Sequence, residues 1–311
     1  MLGPMPTPIV VLGSLMMDLV VRAPRLPVRG ETLFGHDFAM FVGGKGGNQA
    51  IAAARLGASP VTMIGRVGAD PFGDRVIETL ESDGVDCRFV ARDAEAGTGV
   101  ALPMVFDDGG NSIVSVPRAN MRVTVAQVEA AAGAITSAAM LLLQFEVPAE
   151  ANVVAARLAR RAGVPVLLNA APVGAFPPEL WPLVSHLVVN EVEAAVFAAA
   201  GAPPDDPVVQ ARELLARGPG VVVVTLGEHG AVLATGAAVE RLPAFRVDAV
   251  DSVGAGDAFC AAFALALAEG HVPASAARFA SAAGAISATR AGAAASQPFR
   301  AEVEALVARD L

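Results

Sequence analysis

The chain has 311 residues, 22 of them Lys or Arg and 31 Asp or Glu, for a formal net charge of −9. That length holds one large α/β domain or two smaller ones, the single domain over 1–311 being the simpler reading, and the lack of any basic block excludes nucleic acid as a partner. Hydrophobic residues make up 54%, but the apolar runs are short, and 258–268, bounded by Asp257 and Glu269, falls well below the roughly 20 residues that span a bilayer, so no membrane partner is expected.

In chain order, short β-branched runs at 9–12, 61–64, 140–143, 164–168, 186–189 and 221–225 predict strands. Helical periodicity marks 48–56, 74–82, 149–161 and 207–217, and 258–268 reads as a buried helix. Strands alternating with helices predict βαβ units and a mostly parallel sheet covered on both faces. Residues 19–42 and 97–117 break the pattern: they alternate like strands and are punctuated by Gly and Pro, with the turn-forming Asp107-Asp108-Gly109-Gly110-Asn111, and have no helix between strands. They predict a small antiparallel sheet standing off the main domain, one that covers a site, pairs with a second subunit, or is a plain β-extension. The N-terminus has no basic segment ahead of its apolar run and no small-residue cleavage site before Asp18. Two cysteines, Cys87 and Cys260, give neither a disulfide framework nor metal-ligand spacing. A reducing cytoplasm is the expected location.

Four segments carry chemistry. Gly43-Gly44-Lys45-Gly46-Gly47-Asn48 leads into a helical run, so the backbone can approach a ligand closely and a helix N-terminus offers free N–H donors. A Walker loop needs Ser or Thr after its Gly-Lys, and Gly46 stands there. A glycine-rich turn with a solvated lysine remains the alternative. Asp251-Ser252-Val253-Gly254-Ala255-Gly256-Asp257 precedes the apolar helix; its two glycines let backbone amides gather at the head of that helix, an anion hole suited to a phosphoryl group in flight. Asp257 is placed there either as a base accepting a hydroxyl proton or as a helix cap. Asn190-Glu191-Val192-Glu193 follows a strand and fits either a hydrated Mg²⁺ or a capping box. Thr225-Leu226-Gly227-Glu228-His229-Gly230 is a strand end running into a glycine turn, with possible nucleotide contacts but no specific signature.

In that order and spacing, joined by Gly13-Ser14 with Asp18, by Pro27, Gly30-Glu31-Thr32 and Gln49-Ala50, and by Leu143-Gln144-Phe145-Glu146 and Leu168-Asn169 with Pro172, the chain resembles the ribokinases and the wider family of PfkB-type carbohydrate kinases over almost its whole length. The resemblance implies a three-layer α/β fold with a small β-sheet lid, often shared in a dimer clasp, and an ATP-dependent sugar kinase with Mg²⁺ and K⁺. It assigns Asp18, Gly44, Lys45, Asn48 and Glu146 to sugar hydroxyls, and Asp257 to deprotonating the acceptor. Gly254, Ala255 and Gly256 form the anion hole. Asn190 and Glu193 serve the Mg²⁺ and phosphate end, and Asn190, Thr225, Gly227, Gly256 and Ser281 the nucleotide. The monovalent cation falls to the Asp251 side chain, the carbonyls of Val253, Ser287, Arg290 and Gly292, and the Ser296 hydroxyl.

One position departs from the ribokinase pattern. Met16 stands where an Asn is usual, two residues before the sugar-binding Asp, and a thioether cannot donate a hydrogen bond. The expected substrate is ribose at its 5-hydroxyl. The alternatives are 2-deoxyribose, a ketohexose or a nucleoside, and, in a different class, a non-catalytic regulator that binds sugar or nucleotide.

Overall fold

The computed structural model describes residues 7–108, 110–198 and 206–309. Among them the backbone forms strands β1 (Ile9–Leu12), β2 (Met16–Ala23), β3 (Asp37–Gly43), β4 (Val61–Gly68), β5 (Val85–Asp93), β6 (Gly99–Phe106), β7 (Asn111–Val116), β8 (Met140–Gln144), β9 (Val166–Asn169), β10 (His186–Asn190), β11 (Val221–Thr225), β12 (Ala231–Thr235) and β13 (Val239–Leu242). Nine of these join in one sheet, in the order β13-β12-β11-β10-β9-β8-β1-β4-β5. From β11 to β5 every neighbouring pair is parallel, and β12 and β13 close the other edge antiparallel.

The central strands are apolar at almost every position because both sheet faces are covered. Side chains alternate along a strand, so β1 sends Ile9 and Val11 to one face and Val10 and Leu12 to the other. The first face packs on helices Lys45–Arg55, Ala255–Ala268 and Pro273–Ala288, and the second on Ala149–Arg161 and its neighbours. This is the three-layer arrangement expected from the alternating pattern. The strand expected at 164–168 starts two residues later, at Val166. Pro165 has no N–H to give to a ladder.

The four other strands form a separate small sheet, ordered β3-β2-β6-β7. It corrects the expected all-antiparallel lid. β2 pairs antiparallel with β3, and β6 with β7, but β2 and β6 run parallel. The reason is topological: after β3 the chain returns to the body for the Lys45–Arg55 helix, β4 and β5, then re-enters the lid at Gly99, beside Met16. Strand structure also begins at Met16, three residues before the expected segment, while 24–36 contains no strand. Within the expected turn at 107–111, Gly109 lies outside the described residues. No helix among the described residues is long and apolar enough to cross a membrane.

Candidate active site

The glycine run is not a loop ahead of a helix; it is the helix's first turn. Helix Lys45–Arg55 starts directly after Gly44, whose φ of 87° is open to glycine at little cost. A Cβ on Gly44 would lie 2.9 Å from the Met16 amide nitrogen, and one on Gly46 only 2.6 Å from the Gly13 carbonyl carbon. Glycine therefore seats this turn against the chain leaving β1 and brings Lys45, Asn48 and Gln49 under the lid.

Helix Ala255–Ala268 enters the same space from the other side. Its N-cap is Gly254, left-handed at φ 84° and without a side-chain cap. Asp257, 5% exposed, sits in the first turn but does not cap it. Its Oδ2 accepts from Asn48 Nδ2 at 2.8 Å and its Oδ1 from Gln49 Nε2 at 3.0 Å. The capping alternative is thereby excluded. Burial pushes the Asp257 carboxyl above its ordinary range, against the pull of Lys45 and of the two amides. Burial works against charge on Lys45, yet the carboxylates of Asp257, Glu146 and Glu193 outweigh it and hold the ammonium above its usual value.

Asp18 comes from the lid, on β2. Its carboxylate accepts no hydrogen bond among the described residues although it is 8% exposed. Burial first, then the charges of Glu146, Asp257 and Asp251, push its pKa from 3.8 to about 7. Glu146 Oε2 accepts from the Ser14 hydroxyl and, at 3.1 Å, from the Lys45 amide. Between lid and body lies a cavity of about 370 Å³. Met16, Asp18, Gly44, Lys45, Asn48, Glu146, Asn190, Glu193, Thr225, Val253, Gly254, Gly256 and Asp257 all line it.

The remaining expected site residues do not line the cavity. Ala255, Gly227 and Ser281 stand outside its wall, and the Ser281 hydroxyl donates to the Ala277 carbonyl of its own helix at 2.9 Å. Asn190 and Glu193 form a full capping box: Asn190 Oδ1 accepts from the Glu193 amide and Glu193 Oε2 from the Asn190 amide, each at 2.8 Å. Asp251 accepts from the amides of Val253 (3.0 Å) and Gly292 (3.1 Å), while the Ser287 and Ser296 hydroxyls lie 2.8 Å apart. Asp251 and Val253 belong to the segment ahead of helix Ala255–Ala268, Ser287 to the last turn of helix Pro273–Ala288, and Arg290, Gly292 and Ser296 to the loop that follows it behind the Gly254 turn. Gln297 joins that loop to the turn by donating to the carbonyls of Gly254 (3.2 Å) and Ala293 (2.8 Å).

Sequence reasoning assigned no role to Gln49, Gln144, Asn169, Ser115 or Gln297. Gln49, Gln144 and Asn169 stand inside quoted motifs; nothing in the local pattern of Ser115 or Gln297 points to the site. Ser115 lines the cavity from β7, with its hydroxyl 3.7 Å from the Met16 sulfur.

A parallel sheet with ligand-facing groups at its strand ends, a lid carrying an unpaired carboxylate and a buried aspartate at the head of a helix define a sugar-kinase site. The pattern of the pfkB family carbohydrate kinases matches residues 6–300, and the chain belongs to that family. It is 38% identical over 299 residues to the ribokinase of Bacillus subtilis, covering 96% of this chain and 99% of that one. It is 36% identical over 258 residues to the deoxyribokinase of Salmonella typhi, covering 82% and 84%. The solved structure of an Arabidopsis thaliana ribokinase complexed with ribose and ATP superposes with a TM-score of 0.88 at 33% identity, covering 97% of this chain and 99% of that one.

Proposed function

We propose that this chain transfers the γ-phosphoryl group of ATP to the 5-hydroxyl of ribose, acting as one kinase unit over residues 1–311 with lid segments at about 19–42 and 97–117. The observation that carries the reading is Asp257, a buried carboxylate held by two amides at the head of a helix facing the cavity. Asp257 accepts the hydroxyl proton as the sugar oxygen bonds to the γ-phosphorus, and the bond from that phosphorus to the bridging oxygen breaks, releasing ADP. The amides of Gly254 and Gly256, lacking acceptors one turn back, face the charge on the phosphoryl oxygens, while the Ala255 amide between them donates to the Ser252 carbonyl at 3.2 Å and would have to exchange that bond to join them. Asp18 has both carboxylate oxygens available to sugar hydroxyls, and Asn48 Oδ1 is buried without a partner. Lys45, Gly44 and Glu146 complete the sugar wall. Asn190, Thr225 and Gly256 meet the nucleotide in the cavity, and Gly227 and Ser281 meet it outside.

Asn190 Oδ1 and one Glu193 oxygen are engaged in the capping box, which leaves the other Glu193 oxygen for a hydrated ion, the usual mode of Mg²⁺. Mg²⁺ held there would neutralise phosphate charge. Asp251, the Ser296 hydroxyl and the carbonyls of Val253, Ser287, Arg290 and Gly292 offer one carboxylate among neutral oxygens, a donor set that fits K⁺, and an ion held there would brace the turn carrying the anion hole.

The test is Asp257→Asn. It keeps size while removing the proton acceptor, so turnover should drop by about 10²- to 10⁴-fold in a protein that still folds, its one carbonyl oxygen accepting from only one of the two amides. A variant retaining more than half of wild-type turnover sinks the reading and favours a binding protein. A second substrate reading, 2-deoxyribose, is favoured by one observation: a cavity-facing sulfur, already approached by Ser115, stands where ribose would meet an amide. Under the same proposal the protein is a cytoplasmic homodimer joined through the lid. By strand register, Phe38, Met40, Leu102 and Val114 share the lid face turned from the cavity, all exposed, a patch of the kind that pairs with a partner. Sedimentation of wild type against Met40→Lys should show a shift toward monomer.

A further inference from the structure

Asp257 is attached to a row of side-chain amides of which only Asn169 lines the cavity. Gln49 Nε2 donates to Asp257 Oδ1 at 3.0 Å and to Asn169 Oδ1 at 3.4 Å. Gln144 Nε2 donates to Gln49 Oε1 at 2.7 Å, and Asn152 Nδ2 to the backbone carbonyl of Gln144 at 2.7 Å. Gln49, Gln144 and Asn152 are each 0% exposed.

Stability does not account for this row. Gln144 Oε1 and Asn152 Oδ1 are buried with no partner, and each such group carries an uncompensated desolvation cost that an apolar side chain avoids. What the row does provide is direction. An amide has a donor end and an acceptor end. Because the Gln49 oxygen is occupied by Gln144, its nitrogen faces Asp257. The Gln144 oxygen lies against Gly13, where any Cβ would collide with it, so glycine there makes room for the amide that meets Gln49.

We infer that Gln49 is a positioning residue: oriented by Gln144, it ties one oxygen of Asp257 and fixes the carboxylate plane, so that the oxygen beside Asn48 presents its free lone pair to the attacking hydroxyl. The terminal torsion of an aspartate is broad and roughly two-fold, and one tie leaves it free to swing. Two ties, from consecutive residues of one helix, hold it. This inference rests on Asp257 being the base.

Gln49→Met keeps length and removes the donor. Turnover should fall about tenfold, and the acid limb of the kcat profile should move up by about one pH unit, because a hydrogen bond to the charged form is lost. Gln144→Met, one bond further away, should move both in the same direction by less. It carries the test if Gln49→Met does not fold. In an Asp257→Asn background Gln49→Met should cost nothing more, since it acts only through that carboxylate. An unmoved acid limb, or an equal loss in both backgrounds, overturns the positioning role. If Asp257→Asn alone keeps its turnover, the base assignment itself is overturned, which is a separate result.

Discussion

Asp18→Asn should make the protein more stable, and more so as pH rises. The folded carboxyl titrates near 7 against an ordinary 3.8, so the folded state holds a proton that the unfolded state has released. An acid whose folded pKa is raised destabilises the fold by nothing below pH 3.8, by a growing amount between 3.8 and 7, and by a constant amount above. At 1.36 kcal/mol per unit the full penalty is about 4 kcal/mol, and the part added between pH 5 and 7 is about 2.7 kcal/mol. For 311 residues each kcal/mol moves Tm by about 1.5 °C. The Tm gain of Asp18→Asn over wild type should therefore be about 4 °C larger at pH 8 than at pH 5. Comparing two pH values cancels whatever the new amide does by packing or hydrogen bonding. Saturating ribose should shrink the difference, because hydroxyl donors favour the carboxylate form. Equal Tm gains at both pH values would show that Asp18 ionises normally, and the view of it as an unpaired carboxylate waiting for hydroxyls would be wrong.

Gly254→Ala should lower turnover strongly and cost roughly 1–3 kcal/mol of stability: at φ 84° an added Cβ would stand 2.9 Å from the Ala293 carbonyl oxygen. Urea denaturation and steady-state kinetics check both. Replacing a large organic cation by K⁺ at equal ionic strength should raise the rate if the groups around Asp251 and Ser296 hold the ion; equal rates in both salts count against it. Met16→Asn should raise the kcat/KM ratio for ribose over 2-deoxyribose by roughly 5- to 150-fold, the worth of one hydrogen bond of about 1 to 3 kcal/mol, and an unchanged ratio means that Met16 reads no hydroxyl.

Periodicity made most of the body legible, because strands buried on both faces, such as 140–143 and 221–225, cannot disguise their composition. The direction of β6 was not legible. Alternation in 97–117 reports a strand but not the route by which the chain arrives beside β2. Nor did β5 and β13 stand out, since half-exposed strands dilute the apolar signal. At the site, Asp18, Lys45, Asn48, Glu146 and Asp257 line one cavity. Gln49 and Gln144 are another matter. A glutamine in a helix and one at a strand end look like ordinary polar positions, and only a contact across 95 residues reveals their partnership.

Asp18 stands on the small sheet and Asp257 on a helix of the large layer, with no covalent link shorter than most of the chain between them. On the proposed reading, a molecule long enough to touch both walls is gripped at one end and activated at the other. Water can occupy the second wall but has nothing with which to hold the first. On that reading the division of labour between lid and body discriminates by reach and disfavours spending the nucleotide on solvent.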